Sequence, residues 1–138
     1  MRTIKFRGKC VHNSKYAGEW VTGGYVPPEA DCKKQDEGLI IKYHGFESTT
    51  IYHVNPITVG QFTGLIDKNG KEIYEGDILA LEGESMKLEV RFVRGVFAFL
   101  WDGDLDEEFP CNAPTQEWAE VIGNIHDNPL TPSNPPTP

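Results

Sequence analysis

The chain has 138 residues, 38% of them hydrophobic, and a formal net charge of -8. That length suits one compact domain or two small lobes and is short for a multi-step enzyme. Its longest nearly apolar run, GVFAFLW at residues 95–101, falls far short of the roughly 20 residues a membrane helix needs, so no membrane contact is expected. The opening residues, TIKFRGKCV at 3–11, mix Ile4, Phe6 and Val11 with charged neighbours on nearly a two-residue period, which predicts a half-buried strand. No apolar stretch follows it as a secretory leader would require, so the cytoplasm is the expected compartment. HNSKYAG then reads as a turn, and EWVTGGYV as a returning strand with a bulge or bend at Gly23 and Gly24. Residues 29–38 are polar and punctuated, the composition of a surface loop, and LIIKYHG with STTIYHVN predicts a hairpin whose tip lies at residues 44–47.

QFTGLI at residues 61–66 predicts a short strand. DKNG at residues 67–70 marks a tight turn, because Asn and Gly tolerate positive φ. KEIY returns, EGD bends, and ILALE, MKLEVRFV, VFAFLW and EWAEVIGNI supply further strands; APTQEWAE offers one or two helical turns. The predicted fold is mainly β and antiparallel. An SH3-like, partly open barrel is expected over residues 61–128, behind a β-rich lobe over residues 1–60. Residues 129–138 are expected to be a disordered Pro-rich tail, since they hold too few apolar groups to offset the entropy of ordering.

Charge separates the two parts. Residues 1–60 hold eight Lys and Arg against six Asp and Glu, and residues 61–138 hold five against fifteen. So acidic a surface repels phosphate backbones, so general nucleic-acid binding is not expected unless the basic strip of Arg2, Lys5, Arg7 and Lys9 provides it alone. Cys10, Cys32 and Cys111 are odd in number and form no C-x-x-C pair, which points to free thiols instead of a disulfide framework or a zinc knuckle.

No phosphate-cradling loop is present, because TGGY at residues 22–25 has no helix behind it, and Ser85 lacks the elbow an acyl-transfer nucleophile needs. His12, His44, His53 and His126 are scattered, and Cys10 with His12 would share one strand face without completing a metal site. Glu72 with Glu75 or Asp77 could pair for hydrolysis, although in a hairpin such groups more often face water. The densest acidic cluster is WDGDLDEEF. Its D-x-D-x-D spacing lacks the glycine and glutamate of a calcium loop, since Glu107 and Ala113 stand there. An exposed loop is the plainer reading, and a partner-binding edge the functional one: Trp101 and Phe109 flank Asp102, Asp104, Asp106, Glu107 and Glu108, and aromatics beside acids can anchor a basic partner.

Four stretches carry a resemblance: IKFRGK, VNPITVGQFTGLIDKNGKEIYEGDIL at residues 54–79, VRFVRGVF, and EVIGNIHDNP at residues 120–129. On these the chain resembles the YopX family of small phage and prophage proteins. The resemblance implies a β-rich intracellular protein of a phage or prophage in a bacterial host, and brings no catalytic residues. The signature glycines Gly64, Gly70 and Gly76 have an ordinary explanation at bends, so the motif is expected to encode shape. The expected function is a non-enzymatic module that binds a host or phage protein or itself, without a cofactor. The basic strand of one copy could meet the acidic loop of another. The alternatives are a metal-dependent hydrolase acting on nucleotides or nucleic acid, with Asp and Glu holding magnesium, and an acidic mimic of DNA.

Overall fold

The computed structural model describes residues 3–12, 14–28, 37–102, 104, 108–110 and 115–127. The expected tail at 129–138, most of the expected loop at 29–38, and Arg2, Cys32 and Cys111 lie outside the described residues. The chain divides into two units, Met1–Phe62 and Thr63–Pro138. Both are built of antiparallel strands, and the helix among the described residues is a single turn.

The first unit contains β1 (Phe6–Cys10), β2 (Trp20–Val26), β3 (Gly38–Tyr43) and most of β4 (Thr49–Ile66). β1 pairs with β2, β2 with β3, β3 with β4, and β4 returns to β1, so the pairings run in a ring. Alternation along β1 sends Gly8 and Cys10 to the buried side, where Cys10, Ile40 and Val54 form a core with Phe6, Tyr16, Val21, Tyr25, Tyr52 and Val59 around it. A ring of so few strands has little interior, and glycine supplies the missing room. A Cβ on Gly23 would stand 2.2 Å from the Ile41 carbonyl oxygen, and one on Gly38 would stand 2.7 Å from the Tyr25 ring. Contrary to the expected bulge or bend at Gly23 and Gly24, β2 runs on unbroken, with Gly23 opposite Phe6 of β1 and Gly24 opposite Ile41 of β3. Gly23 allows close approach of the β3 backbone, Gly24 is open to solvent, and neither interrupts the strand.

The β3–β4 hairpin turns where the two flanking β-branched and aromatic runs placed it, at residues 44–47, with the His44 N–H donating to the Ser48 carbonyl. Beyond it the structure departs from the expectation of two strands over residues 48–55 and 61–66. β4 is one strand of 18 residues. Its ladder to β1 slips between Lys9, opposite Asn55, and Arg7, opposite Gly60. In the extra residues the Asn55 side-chain oxygen accepts from the Ile57 N–H at 3.0 Å. The Thr58 hydroxyl donates to the Asn55 carbonyl at 2.6 Å and accepts from the Lys9 N–H at 2.9 Å. A bulge held by side chains thus absorbs Pro56, whose missing N–H would otherwise break the ladder.

The second unit contains the end of β4, β5 (Glu72–Tyr74) paired with it, and a separate sheet ordered β10-β6-β7-β8-β9. Its strands are β6 (Asp77–Leu81), β7 (Lys87–Val93), β8 (Val96–Trp101), β9 (Glu108–Pro110) and β10 (Ala119–Asn124), with helix α1 (Thr115–Trp118) before the last. Among the described residues β9 and β10 stay unpaired with each other, which keeps this sheet open. Ile73 of β5 packs with Leu79, Leu88, Val90, Phe99 and Ala119 as the buried centre of this unit. Two details differ from the sequence reading. Residues 108–110 form a strand against β8 where only loop was expected, and the final strand starts at Ala119 because Thr115–Trp118 takes the helical turn first.

Cys10 is a buried free thiol whose pKa is raised by its burial and then by the negative charge of Glu19. In a variant with Cys32→Ser and Cys111→Ser, thiol labelling at neutral pH will be slow in the native state and fast in denaturant. Native labelling at the rate of a free thiol would contradict a closed core around Cys10.

Candidate functional site

The conspicuous polar residues of the signature are used inside the fold. Asp67 is 1% exposed. Its Oδ1 accepts from the Asn69 and Lys71 N–H groups, each at 2.8 Å, and its Oδ2 accepts from the Val121 N–H at 2.9 Å. Burial alone would raise its pKa; the N–H groups of Val121, Lys71 and Asn69 and the charge of Lys71 outweigh that and hold it below the ordinary aspartate value. Asp77 is equally buried and accepts from the Tyr74 N–H at 2.7 Å, so it does not face water as expected of a hairpin carboxylate. Glu72 accepts from the Tyr74 hydroxyl at 2.9 Å. Gly76 donates to the Val90 carbonyl and accepts from the Ile125 N–H, and Asn124 caps the N–H groups of His126 and Asp127. Residues 67–79 and 120–127 of these stretches are therefore two halves of one hydrogen-bonded assembly.

Chemistry with an open face lies elsewhere in the second unit. A cleft of about 540 Å³ is lined by Lys68, Leu81, Glu82, Glu84, Trp101, Glu117 and Trp118. Each wall has a local cause. Lys68 belongs to the turn built on Asp67, and its N–H donates to the Ala119 carbonyl at 2.9 Å. Leu81 ends β6 opposite Ala119, and the turn that follows brings Glu82 and Glu84, with the Glu84 N–H on the Leu81 carbonyl. Trp101 ends β8 opposite Leu88. Glu117 and Trp118 come from the helical turn, and the Trp118 ring stands edge-on to Phe99 with centroids 5.5 Å apart. Both indoles are half-buried, while Lys68, Glu82, Glu84 and Glu117 are exposed.

Of the residues the sequence singled out, the structure places Trp101 in this cleft. Asp102 sits just beyond it and is exposed, its carboxylate accepting from the Lys87 N–H at 3.1 Å while its own N–H donates to the Lys87 carbonyl. Asp104 donates its N–H to the Trp101 carbonyl. Glu108 and Phe109 lie in β9, opposite Leu100 and Phe99. Asp106 and Glu107 lie outside the described residues. Sequence reading missed Trp118, Glu82, Glu84 and Glu117. The only local signal was an aromatic next to an acid in QEWAE, which is indistinguishable from a strand or helix face without the pairing of β10 to β6.

The basic strip is drawn onto aromatics of its own unit: the Lys5 ammonium lies 5.1 Å from the Phe62 ring centre, and the Arg7 guanidinium 5.0 Å from that of Trp20. Cys10 and His12 do border one further cleft, with Lys9, Glu37 and the Asn55–Thr58 bulge. His53 pairs with Glu37 at 3.2 Å and His44 with the Thr50 hydroxyl at 2.7 Å. Among the described residues no group of three or more His, Cys, Asp or Glu could hold a metal ion, and no helix is long and apolar enough to cross a membrane.

The family model for the YopX protein matches residues 5–131. Among solved structures, the chain is similar to the crystal structure of protein EF1440 from Enterococcus faecalis, at 25% identity over 94% of this chain and 97% of that one, with a TM-score of 0.53. No curated protein matches. The match runs across both units and takes in both halves of the hydrogen-bonded signature, and the chain belongs to the YopX family.

Proposed function

We propose that this chain is a non-enzymatic accessory protein of a phage or prophage, a binding module that engages a partner protein through the cleft of its second unit. The observation that carries this reading is the division of labour among its acids. Asp67 and Asp77 are buried and accept from backbone N–H groups, three on Asp67 and that of Tyr74 on Asp77, whereas Glu82, Glu84 and Glu117 stand exposed around two half-buried indoles. Buried acids shape the fold, and exposed acids beside tryptophan suit a protein contact. The family resemblance supports the phage or prophage origin.

The test is capture by the tagged protein from a bacterium that carries its gene, at low and moderate salt, beside the triple variant Glu82→Gln, Glu84→Gln, Glu117→Gln. A specific protein held by the native chain and lost by the variant, with binding reproduced by the purified pair, is the expected result. Capture that survives the triple variant but fails after Phe46→Ser would move the contact to the β3–β4 hairpin tip, where Phe46 is 92% exposed. A hydrolytic activity on nucleotides or nucleic acid that depends on added magnesium would overturn the non-enzymatic reading.

A further inference from the structure

We infer that the feature this cleft recognises is a guanidinium group, presented by an arginine side chain of the partner protein. The inference rests on the binding-module reading and specifies its ligand.

Four properties of the cleft lead there. Its described lining sets Glu82, Glu84 and Glu117 against Lys68 alone, so the local field favours a cation. Its apolar lining is Leu81, Trp101 and Trp118, and an indole suits a weakly hydrated planar cation. Metal ions such as magnesium or calcium want shells of oxygen, and no group of three metal-ligating side chains occurs among the described residues. A purely apolar ligand would strip water from the exposed carboxylates without pairing them. Ammonium fits less well than guanidinium, because a compact, strongly hydrated charge gives up more water on entering and makes no planar contact with an indole. The volume of about 540 Å³ takes one long side chain together with part of its backbone.

Lys68 gains a role on this reading. Its ammonium partly neutralises the cleft's acids and competes with the entering cation. Its backbone N–H, which donates to the Ala119 carbonyl, is unaffected by a change of side chain. Lys68→Ala should therefore tighten binding about twofold to threefold, where a merely structural lysine would have no such effect.

The probe is Nα-acetyl-arginine amide, titrated into the full chain while the indole N–H resonances of Trp20, Trp101 and Trp118 are followed by NMR. Nα-acetyl-citrulline amide serves as the neutral isostere. The expected result is saturable movement of Trp101 and Trp118 with a dissociation constant on the order of millimolar, an unmoved Trp20, and little response to citrulline. Binding should weaken about fivefold in Glu84→Gln, Glu117→Gln, a surface pair that leaves the core intact, and should weaken further with added salt. Equal response to citrulline, movement of Trp20 in parallel, or absence of saturation would each overturn the inference. If a partner is captured and excess arginine amide does not release it, the guanidinium assignment falls while the binding module stands. If arginine amide seats in the cleft and no partner is ever captured, the reverse holds.

Discussion

Replacing Asp67 by alanine will lower the stability of the second unit by about 3 kcal/mol, because three N–H donors lose the buried carboxylate that accepts from them all at once. A loss of that size is a large share of a typical total stability, and at about 3 °C per kcal/mol it lowers Tm by roughly 10 °C. Asp67→Asn keeps the shape but puts an NH2 group where an oxygen now accepts, so about 2 kcal/mol should go. A second readout separates charge from shape. The folded pKa of Asp67 is held below its unfolded value, so the carboxylate stabilises the fold fully above about pH 4, and that contribution is lost as pH falls through the folded value. In Asp67→Asn the part of the acid-side slope due to this group should vanish. A Tm for Asp67→Ala within 2 °C of the native chain, by calorimetry, would show that the turn does not depend on this acid.

Gly23→Ala tests the other unit. The new Cβ would stand 2.2 Å from the Ile41 carbonyl oxygen and 2.8 Å from its carbon, both backbone atoms of the neighbouring strand, so β2 and β3 would have to separate. We expect a cost of about 3 kcal/mol or more. Gly38→Ala meets the Tyr25 ring at 2.7 Å; a side chain can swing aside where backbone cannot, and the cost should be nearer 1–2 kcal/mol. Gly24→Ala has nothing within 4 Å and should be neutral or slightly stabilising, by restricting the unfolded chain. If denaturant unfolding gives Gly23→Ala and Gly24→Ala the same midpoint, the close approach of β2 to β3 is wrong.

Self-association through the opposite charges of the two parts can be read in the same samples. Sedimentation at low and high salt should show a salt-dependent dimer if the basic strand of one copy meets the acidic loop of another. A mass independent of salt and concentration would remove that route.

Much of this molecule was legible in its order of residues. Alternation with period two announced β1, and β-branched and aromatic runs between turn residues announced β2, β3, β7 and β8, because such side chains favour extended backbone. The turns at residues 44–47 and 67–70 announced themselves through Gly, Asn and Asp, whose conformations are local properties. Three things were not local and could not be read there. The single long β4 depends on a bulge in which Thr58 is held by Lys9, 49 residues away in the chain. The burial of Asp67 depends on Val121, 54 residues on, so the same aspartate read by itself is only a turn residue. The cleft gathers Lys68, Leu81, Trp101 and Trp118 from four elements whose proximity follows from the pairing of β10 with β6 and of β7 with β8. The antiparallel β character, the turns and the family are legible along the chain, because propensity and period act over a few residues. Which acids are buried against backbone N–H groups and which stay exposed follows from tertiary packing, because burial is set by whatever distant strand comes to lie alongside.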